Sequence, residues 1–158
     1  MKLSRMIAVA IVVLGTAVGA TTATAGAAAA SARGQGSGIY LHPPFTGDRV
    51  AIALDASGSG GRFEVVHFDK FGEVFARLSG TVDCVAVDGR TAFTTGTITA
   101  GFAPEIVGDV TGKSFAITVL DNGDSPDLAG VSYPLDGIPP CSAWPLNVVM
   151  DQGTYTTS

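Results

Sequence analysis

Beyond residue 48 the chain alternates between apolar and polar positions. In Arg49-Val50-Ala51-Ile52-Ala53-Leu54-Asp55 the large apolar residues recur every second position, the period of a strand with one buried face. Gly58-Ser59-Gly60-Gly61 breaks that strand, and a second fits residues 62–69, closed by the turn signal Asp69-Lys70-Phe71-Gly72. A long third strand fits residues 73–87, with Val74, Leu78, Val82 and Cys84 on one face and Arg77, Ser79, Thr81 and Asp83 on the other. Asp88-Gly89 then supplies a two-residue loop of the type I′ kind, whose central residues must accept positive φ. Residues 91–99 return as the partner strand. Residues 113–121 alternate again, Phe115, Ile117 and Val119 against Ser114, Ala116 and Thr118, and end in Asn122-Gly123. Short strands near 131–135 and 146–150, the latter resuming to Tyr155, complete the set.

No window past the first thirty residues has helical periodicity with caps. Seven or eight short strands separated by Gly and Asn turns therefore predict an all-β domain, a single antiparallel β-sandwich or a small β-barrel. Periodicity reports which face of a strand is buried and not which edges pair, so both architectures stay open. One local conflict stands out. If Asp88-Gly89 is a strict two-residue loop, Cys84 faces Phe93 and Val82 faces Thr95, and neither face of the returning strand is cleanly apolar. A bulge near Gly96 would restore a consistent register, since an isolated Gly in a strand often marks one.

The N-terminus follows a different rule. Met1-Lys2-Leu3-Ser4-Arg5 carries two cations and no acid, an apolar run extends from Met6 to Ala20, and Ala23-Thr24-Ala25 precedes Gly26. This is the order of a secretory signal peptide, helical over residues 6–20 and cut after Ala25. A retained anchor is the alternative, but the strongly apolar part falls short of the roughly 20 residues that span a bilayer and is interrupted by Gly15 and Gly19. The predicted organisation is a signal peptide over 1–25, a flexible leader over 26–46 that is rich in Ala, Gly and Ser before Pro43-Pro44, and an all-β domain over 47–158. The exported product is expected to be secreted, with no membrane anchor after cleavage.

Removing residues 1–25 takes the net charge from −5 to −7 on 133 residues. That length supports one domain. The negative field, with seven scattered cations, argues against a nucleic-acid partner, whose phosphates need clustered Lys and Arg. Cys84 and Cys141 are the only cysteines. In an oxidising compartment a lone pair permits one connectivity, so a Cys84–Cys141 disulfide is predicted, tying the Ile138-Pro139-Pro140 stretch to the sheet. Two unpaired buried thiols are the alternative.

Chemistry is sparse. His67 and Asp69 lie two apart and share a face, so with a distant Ser they could form a triad. No nucleophile-elbow motif accompanies them, and a partly exposed strand His beside a turn-forming Asp is the plainer reading. Gly112-Lys113-Ser114 evokes a phosphate-binding loop, yet Gly108 is one residue too close and a strand pattern follows instead of a helix. Glu64, Glu73 and Glu105 are the only glutamates, too few and too scattered to name a glycosidase pair. Asp121-Asn122-Gly123-Asp124-Ser125-Pro126-Asp127 is the densest oxygen cluster, a calcium loop or a plain turn. Its order departs from the EF-hand, and the turn is the expected reading. No catalytic residue, cofactor site or metal site is assigned.

Two passages resemble a class of uncharacterised secreted bacterial β-domain proteins. Thr81 through Ala92 is similar to their Val-x-Cys-Leu-x-Val-x-Gly-Asn-x-Ala hairpin. Phe115 through Gly123, running on to Pro126-Asp127, is similar to their Phe-x-Val-x-Val-x-Asp-Asn-Gly segment before a Pro and Asp loop. The chain departs from the class at Asp124-Ser125 and at Val131-Ser132-Tyr133, where an aromatic strand is usual. The resemblance implies a compact extracellular β-domain with no assigned activity, and carries no functional residue over. The expected function is thus a non-catalytic module, structural or binding an extracellular or cell-envelope ligand; Thr-rich strands, Phe75 or Tyr155 could face it and equally could lie in the core. A small hydrolase acting on cell-wall or carbohydrate substrates is the rival.

Overall fold

The structure, a computed structural model, describes residues 29–58, 60–103 and 108–158. The expected signal segment, with its expected helix and cleavage site, lies outside the described residues. The strands are β1 (Ser31–Tyr40), β2 (Arg49–Ser57), β3 (Gly60–Phe68), β4 (Val74–Asp88), β5 (Thr91–Ala103), β6 (Gly108–Asp109), β7 (Ser114–Leu120), β8 (Leu128–Val131) and β9 (Val148–Thr157). Their order is β4-β3-β2-β1-β9-β8-β7-β5, and β5 pairs back to β4, closing eight strands into an antiparallel barrel; β6 is an extra strand on the far end of β5. Closure removes the free edges that a sandwich would leave.

Alternation fills the interior. Val50, Ile52 and Leu54 of β2, Phe63 and Val65 of β3, and Phe115, Ile117 and Val119 of β7 meet in one cluster, and Phe63 stacks on Phe115 with ring centroids 5.1 Å apart. An eight-stranded barrel is about wide enough for side chains to fill.

β1 corrects the expected flexible leader over 26–46. Residues 31–40 pair with β2 on one side and β9 on the other, so they are the strand that completes the barrel. Gly34, Gly36 and Gly38 have no side chain to show a period. Gly34 sits directly opposite Tyr155, and a Cβ there would lie 2.8 Å from the tyrosine ring. The ring occupies the space the glycine vacates, and its hydroxyl donates to the Ile52 carbonyl at 2.9 Å. Tyr155 is therefore a core residue, 2% exposed, and not a surface contact. The proline segment that follows folds into turns with a cis Pro43-Pro44 bond, Gly47 N–H donating to Tyr40 and Asp48 N–H to Phe45.

The β4–β5 hairpin shifts by one residue from expectation. Asp88 pairs with Thr91, leaving Gly89-Arg90 as the loop, with Gly89 at φ 59° in the first central position; that is the requirement of a type II′ turn rather than I′. Cys84 consequently faces Thr95 and Val82 faces Gly96, with Asp83 the extra residue between them. The irregularity expected near Gly96 exists, but the bulged residue lies opposite it on β4. It lets Val82 and Val85 both bury while Cys84 turns outward, so Cys84 does not share the apolar face of Val82 and Leu78.

Outside, Cys84 meets the β8–β9 connection. The Cys84–Cys141 disulfide is present, with Cα atoms 5.3 Å apart. The expected strand at 131–135 reduces to a single bridge between Leu135 and Ser114, because β8 runs earlier, over Leu128–Val131. Beyond it residues 136–147 form a strap on the outer face of β5, β7 and β8. Cys141 N–H donates to Thr95 Oγ1 at 2.9 Å and Trp144 N–H to Thr118 Oγ1 at 2.8 Å. These threonines are covered by their own chain. Gly130 underlies the strap, where a Cβ would lie 2.8 Å from the Trp144 carbonyl oxygen.

Candidate functional site

One end of the barrel differs from the other. There β1 ends in Tyr40, β3 ends just after His67, β4 begins next to Phe75, and β8 runs out into Ser132-Tyr133. The β1–β2 turn lays Phe45 across this mouth. Its ring centroid lies 4.6 Å from His67, 5.7 Å from Tyr40, and 5.6 Å from both Phe75 and Tyr133. Beneath it is a cavity of about 40 Å³, reached also by Ser132 and Asn147, enough for two or three water molecules. The concave site is small because aromatic rings fill most of it.

His67 is the buried polar group of this mouth. It is 6% exposed, deeper than the partly exposed strand His the sequence suggested. The β2–β3 register sets Val50 opposite it, which brings Asp48, just before β2, to its ring: Nε2 and Asp48 Oδ2 are 2.9 Å apart. Burial lowers the His67 pKa below its usual value, against the hydrogen bond to Asp48 and the charges of Asp48 and Asp69, which oppose the shift. The ring is thus neutral at neutral pH, its Nε2–H donating to the carboxylate and Nδ1 keeping a free lone pair. Nδ1 has no hydrogen-bond partner among the described residues, and the His67 side chain lines the cavity. Burial likewise raises the Tyr40 hydroxyl pKa, aided by Tyr133 and Asp48.

Asp69 forms the turn that its position in the sequence suggested. Asp69 does not join His67; its Oδ1 accepts the N–H groups of Phe71 and Glu73 at 2.8 and 2.9 Å, holding the β3–β4 turn. Asp48 was missed because only the strand register brings residues 19 apart together. Ser132 reaches the same cavity, but its Oγ accepts the Ala116 N–H at 2.8 Å and makes no bond to His67. Among the carboxylates, Glu64 meets exposed Arg77 at 3.7 Å and Glu105 lies outside the described residues. Gly112, at φ 85°, turns the chain into β7, and Lys113 pairs with Asp136 at 2.8 Å, so this segment presents no phosphate cradle.

The oxygen cluster is a turn whose carboxylates face N–H donors. Asp127, buried, accepts Asn122 N–H at 2.9 Å and Tyr155 N–H at 2.7 Å. Asp121 accepts from Arg90 at 2.8 Å and from Gly123 N–H at 3.1 Å; the Arg90 bond and then the backbone bond hold its pKa below the usual range. These oxygens do not converge on a common point.

The mouth is ringed by apolar surface. The large hydrophobics that remain exposed among the described residues are Ile39, Leu41, Phe71, Val74, Phe102, Tyr133 and Leu135, with Phe71 80% exposed. Each lies near or beyond a strand terminus at the mouth end. The opposite end carries Asp88, Arg90, Asp121 and Asp124 on its turns, and at the mouth end Asp69, Lys70, Glu73, Lys113 and Asp136 stand beside the hydrophobics. Scattered exposed hydrophobics are ordinary; here they collect at one end of the barrel. No family model, curated protein or solved structure matches this chain.

Proposed function

We propose that the protein is a secreted, non-catalytic binding module that meets an extracellular or cell-envelope ligand with the apolar end of its barrel. The observation that carries this reading is the gathering of exposed large hydrophobics around the aromatic mouth, above a barrel filled with side chains. The N-terminal pattern of a signal peptide supports export, and the disulfide is consistent with an oxidising compartment. The charge of −7 after loss of residues 1–25 speaks against nucleic acid.

The test compares the two ends. Phe71→Ser with Phe102→Ser removes exposed apolar surface at the mouth; Arg90→Ala with Asp124→Ala alters the polar end. Both pairs are surface changes expected to leave melting within a degree or two. Sedimentation with washed cell-envelope material should fall at least tenfold for the first pair and stay unchanged for the second. Equal binding by both variants and the parent would refute the reading.

A hydrolase remains the second reading because Ser132 shares the cavity with the Asp48–His67 pair. It requires His67 to take the Ser132 proton through Nδ1, and no hydrogen bond joins the two side chains. Turnover of p-nitrophenyl acetate that is lost in Ser132→Ala would support it.

A further inference from the structure

Resting on the reading of the mouth as the ligand face, we infer that the cavity beneath Phe45 receives the hydroxyl-bearing end of an apolar molecule, an alcohol or a phenol, whose body lies on the surrounding apolar rim. Size sets the first limit. About 40 Å³ admits a small polar terminus and not a whole ligand, so the remainder must stay outside, where Phe71, Val74, Phe102 and Leu135 are exposed.

Hydrogen-bonding capacity sets the second. His67, nine-tenths buried, has its Nε2 committed to Asp48 and its Nδ1 without a partner among the described residues. Asn147 uses Oδ1 to accept the Val131 N–H at 3.4 Å and leaves its Nδ2 donors without a partner there. Both residues line the cavity, and one spare acceptor with one spare donor matches a group that both donates and accepts. A hydroxyl does so: its proton goes to Nδ1 and its oxygen takes a hydrogen from Nδ2. A carboxylate can only accept, would leave Nδ1 unanswered, and would sit near the Asp48 charge. An ammonium could donate to Nδ1 and favour the rings, but would face the Asn147 donors with nothing to offer.

The discriminating measurement titrates the purified protein with 2-naphthol, naphthalene, 1-octanol and 1-naphthylmethylamine, following the His67 ring nitrogens and the mouth aromatics by NMR. The expected result is that 2-naphthol binds roughly fivefold to tenfold more tightly than naphthalene, the worth of about one hydrogen bond. The Nδ1 resonance should shift toward a hydrogen-bonded position with the hydroxyl probes only. The naphthol and octanol arms tell an aromatic body from an aliphatic one, and a hydroxyl-linked Nδ1 shift with either supports the inference. In His67→Phe, which keeps a ring in the mouth, the preference for naphthol over naphthalene should vanish; the wild-type Nδ1 shift needs no variant and stands if that protein folds poorly. Equal binding of naphthol and naphthalene at the mouth would overturn the hydroxyl site and leave the apolar-end reading intact. Tighter binding of the amine would also overturn it. Failure of every probe to move the Tyr40, Phe45 and Tyr133 resonances would overturn both.

Discussion

Cutting the Cys84–Cys141 bridge is the perturbation whose size the structure allows to be worked out. The bond closes a loop of 57 residues, and the chain-entropy model assigns to such a loop about 4 kcal/mol of stabilisation at 25 °C. Part of this is offset. Cys141 is the one non-glycine with positive φ, at 52°, among the described residues, a conformation that costs an L-residue roughly 1 kcal/mol and that relaxes once the tie is gone. The strap does not detach freely either, since Thr95, Thr118 and the Lys113–Asp136 pair still hold it. A net loss of about 3 kcal/mol is therefore expected for Cys84→Ser with Cys141→Ser. For a domain of this size that corresponds to a fall in Tm of about 10 °C. Calorimetry of the double variant, alongside wild-type protein with and without reductant, measures it. Reduced wild type should match the variant. A fall of less than about 3 °C, or labelling of both cysteines by a thiol reagent in the unfolded but unreduced protein, would refute the argument.

Two further outcomes follow from local geometry. Gly130→Ala places a methyl against the Trp144 and Pro145 carbonyls and should destabilise the fold by about 1–3 kcal/mol; in limited proteolysis the strap over 136–147 should be cleaved faster, and parity with wild type in both assays would be inconsistent with the close approach. His67 has a folded-state pKa below its unfolded value of about 6.5, so the unfolded chain takes up the proton first as pH falls. The linked stability is complete above pH 6.5 and declines on acidification toward the folded-state pKa, by at most about 1.4 kcal/mol per pH unit. Urea melts at pH 7.5, 6.5 and 5.5 should show a decline that is shallower in His67→Phe, and identical slopes in the two proteins would contradict the assignment of the buried neutral ring.

Much of the β architecture is written locally. Val50, Ile52 and Leu54 in β2 and Phe115, Ile117 and Val119 in β7 keep period two because each strand has one face inside the barrel, and such a pattern is readable without knowing what lies opposite. The disulfide was legible for a different reason, since two cysteines in a chain with an export pattern allow one pairing. Pattern reading failed where side chains carry no hydropathy signal or where the partner is distant. β1 is built on Gly34, Gly36 and Gly38, and its place is set by pairing with β2 and β9, where Tyr155, near the far end of the chain, lies opposite Gly34. The same pairing of β1 with β9 decides barrel over sandwich, and no local periodicity contains it. The one-residue shift at Gly89-Arg90, with the bulge at Asp83 that turns Cys84 outward, depends on how β4 fits both β3 and β5. The mouth is the clearest case: the turn role of Asp69 was readable from its neighbours, but only antiparallel register puts Asp48 at the His67 ring. Burial of a face is a property of each segment's own residues, whereas contact between segments is set by register and closure across the whole barrel, and the candidate site is made entirely of such contacts.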